Sequence, residues 1–263
     1  MAELKGRRAI VTGGGTGLGA AVSRALAREG VSVCVNFASS AGAAEDVAEA
    51  CRGLGVDAFA VQADVGEDDD CRRLVAAAVD RLGGVDILVN NAGVTKFAKH
   101  SDLDALDAED FLRLYRVNVV SVYQMTRAAR PHLAREGRGS VVNVSSIAGV
   151  AGIGSSIAYA ATKGALNTMT LSLGRALAPE IRVNAVCPGY IGSGWFSKYQ
   201  GDSVEQATAD SVARSTPLKV ASQPEDIAES IVFFAGPASR HITGETLIVD
   251  AGMHLGFAPL KAR

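Results

Sequence analysis

Seven apolar runs of strand length alternate along this chain with longer stretches of helical periodicity. That rhythm leaves few folds open, because strands separated by helices pair in parallel and a parallel sheet must be covered on both faces. The predicted strands are 8–12, 32–36, 57–62, 85–89, 140–144, 182–186 and 247–249. The predicted helices start near Leu18 and then span about 43–54, 68–81, 108–134, 156–178 and 224–235. In the first helix Val22, Ala25 and Leu26 face inward, while Arg24 and Arg28 face solvent. Pro131 is expected to end or kink the longest helix, and Pro179 to close the next one. With no internal repeat and no linker, the reading is one α/β domain over 1–263, its sheet doubly wound. The stretch 191–217 lacks clean periodicity until Val204 and carries Trp195, Phe196 and Tyr199. It reads as a mobile substrate flap at about 191–215, able to cover an apolar or ring-shaped substrate.

Between Arg138 and Lys163 no residue is charged, so hydropathy alone would suggest a membrane span. Four glycines and five serines inside the stretch argue for a strand, a loop and a helix instead, since a spanning helix needs about 20 mostly apolar residues. Tyr159 and Lys163 stand four apart and share one helix face, which sets an ammonium near a phenol. Ser145 and Ser146 follow the predicted strand 140–144. A hydroxyl pair, a phenol and an amine in an apolar stretch suggest a site.

Thr12 is followed by Gly13-Gly14-Gly15-Thr16-Gly17-Leu18-Gly19. A strand, close-set glycines and a helix start suit a dinucleotide pyrophosphate, because glycine lets backbone approach the phosphates and the helix end offers free N–H groups. The spacing is not the familiar Gly-x-Gly-x-x-Gly, and the loop alone does not specify chemistry. Net charge is −2, from 26 basic and 28 acidic residues, without a long basic run, so nucleic acid is not an expected partner. The start lacks the apolar core of a signal peptide, and the four cysteines (34, 51, 71 and 187) are far apart. A reduced, soluble, cytoplasmic protein is expected, with neither a disulfide framework nor a zinc site. Asp68-Asp69-Asp70 opens a helix, where carboxylates suit the dipole, so no metal is expected there. The four histidines (100, 132, 241 and 254) are read as structural.

Thr12-Gly13-x-x-x-Gly17-x-Gly19, Asp64, Asn90-Asn91-Ala92-Gly93, Asn118, Ser146, Tyr159-x-x-x-Lys163 and Pro188-Gly189 occur in register. In this order and spacing the chain resembles the short-chain dehydrogenases/reductases, in their single-domain branch, from residue 5 to about 253. The resemblance implies a Rossmann-type sheet of seven mostly parallel strands with helices on both faces, and a homo-oligomer, dimer or tetramer. It implies a hydride transfer between a nicotinamide and a carbonyl/secondary-alcohol pair. Tyr159 would be the general acid or base, with its pKa lowered by Lys163, which would also bind the nicotinamide ribose. Ser146, thirteen residues before Tyr159, would donate to the substrate oxygen, and Ser145 would serve the backbone or cofactor. Asn118 would distort its helix and hold a water joining Lys163 to solvent.

For the cofactor, the resemblance implies contacts along Gly13, Gly15, Thr16, Gly17, Leu18 and Gly19. It also implies contacts at Asn36, Phe37 and Ser39, at Asp64 and Val65 beside the adenine, and at Asn91, Ala92 and Gly93. Pro188, Gly189, Ile191 and Ser193 would meet the nicotinamide end. NAD-preferring relatives carry an acidic residue where this chain has Phe37. With no carboxylate to repel a 2′-phosphate, and with Ser39 and Ser40 close by, NADP(H) is favoured over NAD(H). Against this, Thr16 stands where NADP-preferring relatives often have arginine. The whole pattern also resembles the 3-oxoacyl-carrier-protein reductases, although 94–100 departs from them. A catalytically silent nucleotide-binding regulator would show a damaged polar set, and here the set is intact. A sugar-nucleotide epimerase of the extended branch would need a longer chain.

Overall fold

The first apolar run folds as β1 (Arg8–Val11), and the glycine-rich turn carries it into α1 (Gly17–Arg28). β2 (Ser32–Phe37), α2 (Ala41–Arg52) and β3 (Ala58–Gln62) extend the sheet outward. The chain then returns through α3 (Asp68–Leu82) to β4 (Ile87–Asn90) on the other side of β1. There follow α4 (Ala108–Tyr115), α5 (Ser121–Leu133), β5 (Gly139–Val144) and the short α6 (Ala148–Ala151). α7 (Ile157–Leu177), β6 (Ile181–Pro188), α8 (Trp195–Gln200), α9 (Asp202–Ser215), α10 (Pro224–Ala235) and β7 (Thr246–Val249) complete the fold. This computed structural model describes residues 4–256, without the Phe196 side chain, so the covering role expected of that ring lies outside the described residues, as do both ends of the expected domain.

The seven strands form one sheet in the order β3-β2-β1-β4-β5-β6-β7, and every neighbouring pair is parallel. Strand order reverses between β1 and β4, which opens a crevice beyond their carboxyl ends, the usual ligand position in such sheets. One core cluster packs α1, α2 and α10 against the sheet, around Val22, Leu26, Val47, Ile227 and Phe234. The other packs α3 and α5 on the opposite face, around Leu74, Val75, Met125 and Leu133. Cys34, Cys51, Cys71 and Cys187 are free and buried. Asp68 pairs with Arg72 and Arg127, and Asp70 with Arg73, so two of the three carboxylates are held in ion pairs. Among the described residues there is no metal-ligand cluster and no helix long and apolar enough to cross a membrane.

Two expectations need correction. The single helix over 108–134 is two helices joined by a π turn at Arg116–Val120, where Ser121 N–H reaches back five residues to the Arg116 carbonyl. Three β-branched valines and an asparagine occupy this turn, all weak helix formers. Pro131 sits inside α5 and the helix runs two residues past it. The stretch 191–203, which shows no clean periodicity in the sequence, holds the helix α8, and α9 follows from Asp202.

Candidate active site

Two loops line the crevice and are tied to each other. Thr12 Oγ1 accepts from the backbone N–H groups of Asn91 (2.9 Å) and Ala92 (3.0 Å). The Asn91 side chain returns two hydrogen bonds to the carbonyls of Thr12 and Gly13. Gly13 (φ 60°) and Gly17 (φ 49°) sit in the left-handed region, which a side chain resists. A Cβ on Gly19 would stand 2.1 Å from the Gly13 carbonyl oxygen, so only glycine lets α1 start this close to the turn.

Several residues expected at the cofactor do other work. Asn36 is buried and its amide is used up: Oδ1 accepts from Gly13 N–H (3.2 Å), and Nδ2 donates to carbonyls that include Ala63 (3.0 Å). It therefore moulds the glycine turn from behind. Gly15 faces α2, where a Cβ would meet Ala44 at 2.9 Å, so its smallness serves packing. The Leu18 and Val65 side chains join the two core clusters, leaving only their backbone to face the crevice. Phe37 packs at the margin of the first cluster, while Thr16 and Ser39 are exposed and Thr16 caps no helix N–H with its hydroxyl. Asp64 is exposed at the end of β3, its carboxylate accepting from Gly66 N–H.

Ser146, just past β5, lies beside Tyr159 and Lys163 of α7. Ser156 caps α7 by accepting from Tyr159 N–H, which fixes Tyr159 in the first turn. The Ser146 hydroxyl oxygen accepts from Ala148 N–H (3.1 Å), so its proton is left to donate on the side of the Tyr159 phenol. Ser145 donates to the Lys163 carbonyl and serves the backbone. Lys163 Nζ donates to the Val144 carbonyl (2.8 Å) and lies 5.6 Å from the Tyr159 ring centroid.

Asn118 is buried on the π turn and links it to both neighbours. Its Oδ1 accepts from Val94 N–H (2.9 Å), and its Nδ2 donates to the Val94 carbonyl (3.0 Å) and to Thr162 Oγ1 (3.1 Å). Both amide protons are spent within the protein, so the side chain clamps the loop after β4 onto α7.

Burial dominates the electrostatics. It pushes the Tyr159 phenol up to about 12, against the opposing hydrogen bond from Ser146. It pulls the Lys163 ammonium down to about 8. The phenol thus shifts opposite to the depression expected from Lys163, whose ammonium is turned toward Val144. At neutral pH the phenol keeps its proton, and most of the amine is charged.

The root of α8 closes over the crevice. Ile191 bridges to Ser222, and Ser193 lies against the glycine turn, where a Cβ on Gly17 would meet its carbonyl oxygen at 3.0 Å. Glu205 of α9 accepts from Gly194 N–H (2.9 Å), Ser197 N–H (2.8 Å) and the Ser197 hydroxyl, which anchors the start of α8 and holds its own carboxyl below the usual range. Trp195 then faces Tyr159 with ring centroids 6.4 Å apart. Sequence reasoning missed Glu205, as well as Phe97, which packs on Tyr199 at 5.7 Å. Phe97 is the one Phe, Tyr or Trp in the polar loop 94–106, and that was the available signal.

The cavity suits a nicotinamide dinucleotide. Gly93 has no side chain where a Cβ would stand 3.4 Å from Asn118 Oδ1 and 4.0 Å from Lys163 Nζ, which leaves that space for a ribose. An ammonium has three protons, and Val144 takes one of those of Lys163, so ribose hydroxyls can accept from the others. Pro188 and Gly189, at the end of β6, border the same side of the crevice as Ile191 and Ser193.

Comparison with known proteins agrees with this geometry. The family model described as Enoyl-(Acyl carrier protein) reductase matches residues 13–254. A Streptomyces violaceoruber protein, assigned as ketoacyl reductase 2 of the granaticin polyketide synthase, is 44% identical over 94% of this chain and 96% of its own length. The 3-oxoacyl-[acyl-carrier-protein] reductase FabG of Staphylococcus aureus is 34% identical over 95% of this chain and 98% of its own. A solved Burkholderia xenovorans structure, described as a short-chain dehydrogenase/reductase, superposes with a TM-score of 0.87 at 41% identity, covering 95% of this chain and 98% of that one.

Proposed function

Given that this chain belongs to the short-chain dehydrogenase/reductase family of oxidoreductases, we propose that it interconverts a ketone and a secondary alcohol with NADP(H). The observation that carries the reading is the convergence of Tyr159 with Lys163, whose Nζ lies 5.6 Å from the phenol ring centroid, beside a Ser146 hydroxyl oriented by Ala148 N–H. A reduced nicotinamide bound here would supply the hydride to the carbonyl carbon, and an oxidised one would accept it from the carbinol carbon. In reduction, Ser146 holds the carbonyl oxygen and Tyr159 transfers its phenolic proton to it as the C=O bond becomes C–OH; solvent then restores the proton to Tyr159. A phenol that burial keeps protonated is ready for this direction. Lys163 grips the ribose, and its charge favours the transient phenolate. Asn118 keeps the wall at Val94 in place. The contacts we assign to the cofactor are Gly13, Thr16, Gly17, Gly19, Phe37, Ser39, Asp64, Asn91, Ala92, Gly93, Tyr159, Lys163, Pro188, Gly189, Ile191 and Ser193, with the backbone of Leu18 and Val65.

The preference for NADPH rests on the lack of a carboxylate at Phe37 and on the exposed hydroxyls of Ser39 and Ser40. In a fluorescence titration NADPH binds more tightly than NADH, and Phe37→Asp reverses the order by accepting ribose hydroxyls and repelling the 2′-phosphate. Tighter NADH binding by the unaltered protein would contradict this. The second reading, reduction of a 3-oxoacyl thioester, is supported by the reductase activities for which the Streptomyces and Staphylococcus relatives are named. A screen of ketones with NADPH tests the main reading: at least one is reduced, whereas cofactor binding with no turnover of any would favour a silent regulator.

The same reading makes α8 and α9 a lid that opens for substrate. Exposed Leu112, Val120, Tyr123, Ile157 and Leu171 on α4, the π turn, α5 and α7 suit cover by a second copy in a homo-oligomer. A cytoplasmic setting agrees with four free, buried thiols.

A further inference from the structure

We infer that the substrate side of this site is built for a ketone carried on a flat, fused ring. The inference rests on the reading of Ser146 and Tyr159 as the grip on a carbonyl oxygen. Starting at Tyr159, three more rings continue outward from the reacting position. Tyr159 and Trp195 are 6.4 Å apart and tilted by 51°. Trp195 and Tyr199 are 5.6 Å apart and tilted by 56°, and Tyr199 and Phe97 are 5.7 Å apart and tilted by 49°.

These rings come from three separate segments. Trp195 and Tyr199 stand one turn apart on α8, whose start Glu205 anchors. Phe97 comes from the loop after β4, pinned on either side by Ala98 N–H to the Ser155 carbonyl (2.8 Å) and by the Thr95–Ser155 hydroxyl contact. The rings are not a piece of the core: Trp195, Tyr199 and Phe97 belong to neither core cluster, and Tyr199 is 37% exposed. An aromatic run that begins at the proton donor and stays outside the core meets whatever carbon frame extends from the bound carbonyl.

Rings at these separations and tilts offer both faces and edges, the geometry in which aromatic contacts exceed plain area burial, each by about 2- to 12-fold in affinity. A linear acyl chain gains less from such contacts and also loses rotational freedom at each bond it fixes. A fused ring has none to lose. The expected preference over a linear ketone is therefore about tenfold or more, from two or three such contacts.

Trp195 is the chain's single tryptophan, so its emission reports binding without turnover. The protein with NADP⁺ is titrated with 2-tetralone, a bicyclic ketone, and with S-acetoacetyl-N-acetylcysteamine, a linear one. Quenching by 2-tetralone should half-saturate at about a tenfold lower concentration. Tyr199→Leu and Phe97→Leu, which keep the reporter, should each erode the difference several-fold. Trp195→Leu should lower kcat/KM for 2-tetralone more than for the thioester. Equal or tighter binding of the thioester, or a preference that survives all three variants, overturns the inference. Reduction of the thioester alone would leave carbonyl reduction standing and overturn the ring assignment. Quenching by 2-tetralone with no ketone of the whole screen reduced would sustain the ring site and overturn carbonyl reduction.

Discussion

Tyr159→Phe lowers kcat by about 10³-fold, within the 10²- to 10⁴-fold that a positioned acid or base contributes, and leaves NADPH affinity within about twofold. The substitution removes one oxygen and keeps the ring that faces Trp195, so the wall of the site stays in place. Ser146 loses its phenolic partner but keeps its orienting bond from Ala148 N–H, and so still polarises the carbonyl. What disappears is the proton. Steady-state kinetics with a cofactor titration checks this, and a kcat within tenfold of the unaltered protein would remove Tyr159 from the proton-transfer role.

Lys163→Met should separate function from stability. Methionine keeps an apolar stem of similar length and loses the charge that grips the ribose and favours the phenolate. The expected losses are about 10-fold in NADPH affinity and about 10³-fold in kcat/KM, the scale of a removed electrostatic contact. Stability should move the other way or stay level, because Lys163 is buried and its ammonium is pulled down to about 8 from an ordinary 10.5. The unfolded chain holds this proton up to about pH 10.5 while the folded one releases it near 8. Between those values the unfolded state binds more protons, so this lysine adds stability as pH rises, and its burial cost is fully present below 8. Tyr159 acts in the opposite sense and higher up: its phenol, raised from 10 to about 12, makes stability fall with pH from about 10. Thermal melts should therefore show the variant equal to or above the unaltered protein at pH 7, with the difference shrinking toward pH 10. A large loss of melting temperature at pH 7 would mean that the Lys163–Val144 contact outweighs the cost of burying the charge.

The seven strands were legible because a sheet buried on both faces writes continuous apolar runs, from Arg8–Val11 to Thr246–Val249. Tyr159 and Lys163 were legible because one helix turn fixes their separation locally, while Ser146 was legible only through the family resemblance. Tertiary contacts set what was missed. The valines around Asn118 carry helical periodicity, yet side-chain bonds to Val94 and Thr162 draw that turn into a π form. Asn36 looks like a ligand contact at a strand end, while its amide reaches Gly13 and Ala63, 23 and 27 residues away. α8 has too few residues to display a period, and its anchor, Glu205, lies on the next helix. The sign of the phenol's shift was also out of reach, since it depends on how closely the folded protein surrounds the hydroxyl.

The central claim is hydride exchange at a carbon whose oxygen is held by Ser146 and Tyr159. Its most direct test is to incubate the protein with NADPH deuterated at both C4 positions and a panel of ketones that includes 2-tetralone and the linear thioester, then to analyse the alcohols by mass spectrometry. The account predicts one deuterium on the carbinol carbon of at least one product, and none in the Tyr159→Phe reaction over the same time. Bound cofactor with no labelled alcohol from any ketone, or equal label from the Tyr159→Phe variant, would contradict it.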